Sequence, residues 1–234
     1  MKILAIETSC EHASVALLVD GDVMERRLEG HANHSEHLLP TVRSLLAYAG
    51  LELDSLDAIA FGAGPGAFTG LRLACGTVQG LAIGADLGVV PVSSLAALAL
   101  QGEGDAVFVA TDARMGEVYS AAYRVSGGVN GAEVTECRRP MCTPPAQLAL
   151  PPDGSWFGIG SALRVYAADL PASLLARLSA QNAVAVPRAA DVARLAASRY
   201  LAGEVVAPEA AVPLYVRDKV ALTTAERLAR GGRA

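Results

Sequence analysis

The stretch from Gly62 to Gly84, GAGPGAFTGLRLACGTVQGLAIG, constrains this chain more than any other part of it. Before it, LDAIAF is an apolar run of strand length. Gly62, Gly64, Pro65 and Gly66 then turn the chain tightly, because glycine takes positive φ without steric cost. Thr69 is expected as the N-cap of a helix, its hydroxyl accepting from the first unpaired N–H groups. Within that helix Gly76, Gly80 and Gly84 recur every fourth residue and share one face, with Leu73 and Thr77 beside them. Each interior glycine costs roughly 1 kcal/mol against alanine. A row of them points to a groove of bare backbone that another helix can approach closely. The opposite face, Leu71, Ala74, Cys75, Val78, Leu81 and Ala82, has the spacing of ordinary core. Such a helix is either buried in its own domain or shared with a partner.

A glycine-rich turn before a helix raises the question of a phosphate cradle. No lysine lies between Lys2 and Lys219, so a GxxxxGK[ST] loop is absent, and Pro65 and Phe68 interrupt a GxGxxG pattern. The tight structural turn is the preferred reading. The net charge of -5 and the scattered arginines, paired only at Arg26-Arg27 and Arg138-Arg139, argue against tight nucleic-acid binding by the chain alone. Cys10, Cys75, Cys137 and Cys142 form no CxxC pair, which fits free thiols better than zinc or disulfides. No run of about 20 apolar residues is free of charges and turn formers, so no membrane span is expected. Nor does MKILAIETS read as a signal peptide. A cytoplasmic location is the expectation.

Taken in order, Lys2–Thr8 and Ser14–Asp20 read as strands, and Asp20-Gly21 is a two-residue hairpin signal leading into a third. A helix is expected over Glu36–Ala49, with Ser35 as N-cap, Leu38, Val42, Leu45, Leu46 and Ala49 as its apolar stripe, and Gly50 at its end. The strand DAIAFG, the glycine-rich helix, the strand GVVPVS and a helix over Ser94–Gln101 follow. From Gly104 the opening meander repeats: AVFVAT, EVYSAAYRV and AEVTECR. A proline-rich link, the strand SWFGIG, a helical segment over Ser161–Asp169, a strand AVAVP and a helix over Asp191–Leu201 with Asp191 as N-cap come next. Thr223 and Glu226 form a capping box for a last helix. This predicts an α/β chain of two similar lobes, residues 1–102 and 103–234, the second reduced.

Duplicated lobes of this kind resemble the ribonuclease-H-like halves of the actin, Hsp70 and sugar-kinase superfamily. ILAIETSCEHASVALL, HSEHLLP, GAGPGAFTGLRLACGTVQGLAIG, PVSSLAALA, DARMGEVY and VPLYVRD resemble, in order and spacing along nearly the whole chain, the bacterial TsaB (YeaZ) family. That resemblance implies a non-catalytic scaffold or activator in forming threonylcarbamoyladenosine at position 37 of tRNAs that read codons beginning with A. The partners it implies are a TsaD-like transferase and a TsaE-like ATPase, with tRNA met through the complex and a homodimer in isolation. ATP or ADP would sit at most at the complex interface, with no cofactor held by this chain alone. Glu7 stands where most of the family has Asp, and IETSC is wording that TsaD itself uses. The metal-binding HxxxH of TsaD-like proteins is nevertheless missing, since Ser94 and Leu98 occupy its positions.

No catalytic and no metal-ligating residue is therefore assigned. Partner contacts are expected at His37, Leu38, Thr41 and Leu45 on the first helix. On the second they are expected at Thr69, Arg72, Leu73, Gly76, Thr77 and Gly80. His31, His34 and His37 read as a polar helix entrance rather than a metal cluster. Asp112 and Arg114 read as a local ion pair, with Arg114 or Arg72 touching a partner or tRNA as the functional alternative. The competing hypothesis is a stand-alone ATPase or hydrolase of the same fold.

Overall fold

The computed structural model describes residues 1–28, 34–127 and 131–217. The first sheet contains β1 (Lys2–Glu7), β2 (Ser14–Val19), β3 (Asp22–Arg27), β4 (Ala58–Gly64) and β5 (Gly88–Ser93) in the order β3-β2-β1-β4-β5. The first three strands form an antiparallel meander, and β4 and β5 add in parallel. Asp20 and Gly21 both take positive φ, as a two-residue hairpin between twisted strands requires. Apolar side chains leave both faces of this sheet. Leu4, Ile6, Val15, Leu17, Ile59 and Phe61 pack under α1 (His34–Ala49) and α2 (Phe68–Ala85). Ile3, Ala5, Ala16, Leu18, Ala58 and Ala60 share the other core with α3 (Ser94–Ala99) and α6 (Ala189–Leu201). Burial on two sides is why β1 and β2 read as continuous apolar runs.

The second sheet contains β6 (Ala106–Asp112), β7 (Val118–Ser126), β8 (Glu133–Thr143), β9 (Trp156–Ile159) and β10 (Leu178–Asn182) in the order β10-β9-β6-β7-β8. It repeats the first: a meander, then two parallel additions. Its outer core, around Phe108, Trp156 and Leu163, is covered by the four-residue helices α4 (Ala162–Val165) and α5 (Ala172–Leu175). The strands divide between Ser93 and Ala106, but α6 crosses back. It packs along β1, β2, β4 and β5, and Ser14 Oγ and Glu25 Oε1 accept the N–H groups of Ala189 and Ala190 at its start.

Several expectations need correction. The α2 helix starts at Phe68 after Ala67, so Thr69 lies inside its first turn and is not the cap. Likewise α1 starts at His34, which puts Ser35 inside it. Asp191 lies inside α6, and its buried carboxylate pairs with Arg188 at 3.0 Å and Arg194 at 2.8 Å. The last strand is LSAQN, not AVAVP, which has no strand partner. The second meander's third strand runs on through Pro140 to Thr143, and the helical segment expected over Ser161–Asp169 shrinks to α4. His31, Thr223 and Glu226 lie outside the described residues.

Candidate functional site

The glycines of the central stretch fall into two physical classes. Gly62, Gly66 and Gly70 are pressed against the turn after β1. A β-carbon on Gly62 would stand inside the Glu7 carboxylate, one on Gly66 against Ser9, and one on Gly70 inside the carbonyl of Thr8. That turn is bonded down as well. Ala67 N–H donates to the Ser9 carbonyl at 2.7 Å, and Thr8 Oγ1 donates to the Gly70 carbonyl at 2.7 Å. The close approach of the turn after β1 is what requires glycine at these three positions, so each has a structural reason to be there.

Glu7, at the end of β1, is fully buried. Its Oε1 accepts the Ser9 N–H at 2.6 Å, and its Oε2 accepts Ser94 Oγ at 2.8 Å. Ser94 Oγ in turn accepts the Gly64 N–H at 3.2 Å. Sequence reading valued Ser94 only for the histidine it replaces; in the fold it joins β4, α3 and β1. Burial raises the Glu7 carboxyl above its ordinary value, with the hydrogen bonds from Ser9 and Ser94 pulling the other way. Because the folded value is the higher one, the unfolded chain ionises first as pH rises. Stability from this group is present below the ordinary carboxylate value and is lost above it. Glu7→Gln should remove that dependence, so its stability relative to wild type rises as pH climbs above the ordinary carboxylate range. Urea midpoints from that range upward check it, and a difference that stays flat with pH would contradict the assignment.

Gly76, Gly80 and Gly84 are the opposite case. They are exposed, and a β-carbon on any of them would meet nothing within 4 Å among the described residues. Thr69 and Arg72 are exposed on the same helix, while Leu73 and Thr77 are half-buried beside the row. On α1, His37 is exposed and Thr41 half-buried. Leu38 and Leu45, expected as partner contacts, are each only 1% exposed and belong to the core beneath α1. They are corrected to structural residues. Large apolar side chains that sequence reading did not select are exposed on the same pair of helices: Leu39 at 53%, Tyr48 at 72% and Ile83 at 65%. Ile83 follows Gly80 by three, so helical spacing would have placed it on the glycine row.

A cleft of about 700 Å³ opens between the lobes, lined among others by Cys10, His12, Arg114, Arg164 and Arg217. Arg114 pairs with Asp112 at 3.2 Å, as expected, and reaches across to Glu11 of the first lobe at 3.0 Å. Both Arg114 and Glu11 are largely exposed, so that bridge contributes under about 1 kcal/mol. Cys10 and His12 face the same space, but burial and the neighbouring Glu7 push the Cys10 thiol up to about 12. A thiol with that value supplies almost no thiolate at neutral pH. Among the described residues no three His, Cys, Asp or Glu side chains are grouped to hold a metal. No helix of the described residues is long and apolar enough to cross a membrane.

Two sheets of one strand order, with helices between and outside them, are the paired ribonuclease-H-like lobes of the actin, Hsp70 and sugar-kinase superfamily. The model of the family described as TsaD, tRNA N6-adenosine threonylcarbamoyltransferase, matches residues 29–225. A relative in Escherichia coli, the tRNA threonylcarbamoyladenosine biosynthesis protein TsaB, is 37% identical over 94% of this chain and 96% of its own length. The Haemophilus influenzae protein of the same name is 33% identical over 94% of this chain and 95% of its own length. YeaZ from Pseudomonas aeruginosa superposes with a TM-score of 0.82 at 40% identity, covering 92% of this chain and 99% of that one. The chain belongs to the TsaD family, in its TsaB (YeaZ) group.

Proposed function

We propose that this chain is a non-catalytic subunit in the formation of threonylcarbamoyladenosine on tRNA, and that it docks on a TsaD-like transferase through the exposed faces of α1 and α2. The relatives' names support the pathway. The observation that carries the docking is the row Gly76, Gly80 and Gly84, exposed on α2 together with Ile83, while Leu39 and Tyr48 are exposed on α1. Interior glycines weaken a helix by roughly 1 kcal/mol each, and nothing among the described residues uses the room they leave. A second helix seated on bare backbone does. In isolation two copies would pair through the same faces, as an isologous dimer. A TsaE-like ATPase and tRNA join through the assembled complex in the cytoplasm, and ATP or ADP binds, if anywhere, at the complex interface. Arginines that touch tRNA are met there rather than on the lone acidic chain.

The stand-alone ATPase or hydrolase has less support. The glycines of the turn are accounted for by their close contacts with Thr8 and Ser9, and burial and Glu7 hold the Cys10 thiol high, which disfavours its thiolate. Gel filtration tests the proposal. Mixed at micromolar concentration, this chain and the TsaD-like transferase of the same organism are expected to elute together, earlier than either alone. Separate elution of the two proteins overturns the docking.

A further inference from the structure

Arg72 lies four residues before Gly76, at the N-terminal end of the glycine row. Its surroundings differ from those of an ordinary surface arginine. Its guanidinium stacks over the Phe68 ring, 3.9 Å from the centroid, and its Nε donates to Tyr215 Oη at 3.2 Å. The Phe68 and Tyr215 rings lie 5.6 Å apart. Tyr215 is itself fixed by the segment 211–217, which is tied along its length. Gln79 Nε2 donates to the Ala211 carbonyl at 3.0 Å, and Leu214 N–H donates to the Ala63 carbonyl at 2.7 Å. At its end Arg217 pairs with Glu117 of the second lobe at 2.8 Å.

The charge so held has no counter-ion among the described residues. Among the described residues neither terminal nitrogen of Arg72 has an acid or a carbonyl to donate to, and α2 contains no Asp or Glu. The guanidinium also sits near the positive end of the helix dipole, where an anion is favoured and a cation is not. A flexible cation would drift into solvent; this one is stacked and tethered, so the ordering that binding normally requires is already done. Its two free N–H edges form a planar fork, the geometry that takes a carboxylate in two parallel hydrogen bonds.

We infer that Arg72, braced by Phe68 and Tyr215, is the charged anchor of the partner face and receives a carboxylate side chain of the docking protein. The inference rests on the docking reading given above. A nucleic-acid phosphate fits less well, because backbone binding needs several clustered cations and α2 offers only this one, on a chain of net charge -5. The anchor gives the face a specificity that close helix packing alone lacks. A partner without an acid at this point leaves the guanidinium covered and unpaired.

Titration calorimetry with the TsaD-like transferase, at low and at high salt, tests this. Arg72→Ala is expected to weaken binding by about tenfold or more at low salt and to flatten the salt dependence. Arg72→Lys should restore only part of the loss, since an ammonium lacks the fork. Tyr215→Phe, which removes only the bracing oxygen, should fall between wild type and Arg72→Ala. Thermal melts of all three should match wild type, because Arg72 is exposed. Equal affinity for wild type and Arg72→Ala at both salts overturns the anchor while leaving the docking intact. Failure of the wild-type chain to bind overturns the docking and the anchor with it. Loss of tRNA binding in the assembled complex, with partner affinity unchanged, would transfer Arg72 to phosphate and overturn the carboxylate assignment.

Discussion

Gly80→Leu is expected to abolish the complex with a TsaD-like transferase while leaving the fold intact. Among the described residues nothing lies within 4 Å of a β-carbon at Gly80, so a leucine there should project outward without displacing a neighbour. Leucine is also a better helix former than glycine, by most of 1 kcal/mol. The melting temperature should therefore hold or rise by a few degrees. A docked helix that needs bare backbone meets four extra carbons instead. Affinity should fall by about 100-fold or more, which is about 2.7 kcal/mol. Self-association of the isolated chain should fall with it. Gly76→Ala is the milder companion, with a small gain in stability and a smaller loss of binding. The pair of measurements is a thermal melt and a binding isotherm. A leucine variant that melts well below wild type would show the groove to be internal, and one that binds normally would remove the glycine row from the interface.

Gly70→Ala, ten residues earlier in the same stretch, is expected to do the reverse. A single methyl there would stand inside the carbonyl of Thr8, which is backbone and cannot rotate away. The turn after β1 would have to lift, breaking the Thr8 Oγ1 bond to the Gly70 carbonyl and the Ser9 carbonyl's bond from Ala67. Overpacking of this kind, with bonds lost besides, costs about 3 kcal/mol or more. For a chain of this size the melting temperature should drop by about 6–12 °C. Partner binding should weaken only as far as the start of α2 moves. Were Gly70→Ala to melt like wild type, the close approach of the first turn to α2 would be wrong.

These two substitutions show how the same residue type carries different instructions. In one dimension Gly62, Gly66 and Gly70 are alike with Gly76, Gly80 and Gly84, both sets recurring every fourth residue. The fourfold repeat of the last three was legible as a shared helix face, because helical period is a local property of the chain. That this face is open, and that the first three are clamped under the β1 turn, depends on contacts across more than fifty residues of sequence. No local pattern encodes those.

The amino-acid sequence by itself determined the two meanders, the order of strands and long helices in the first lobe, and the family. Alternation, a DG hairpin, helical spacing and long motifs are all read within short windows. It also pointed to α1 and α2 as the face here proposed for a partner. Tertiary structure decided which side of each helix remains available. The apolar stripe that made Leu38 and Leu45 conspicuous is the very thing that buries them, because a stripe of that width packs on its own sheet first. Exposed Tyr48 and Ile83 lie off the stripe and drew no notice. Only the assembled chain could bring Tyr215 beside Arg72, or send α6 back across the first sheet. Such pairings are chosen by the global burial of apolar surface and the satisfaction of buried polar groups, and those quantities exist only once the whole chain has folded.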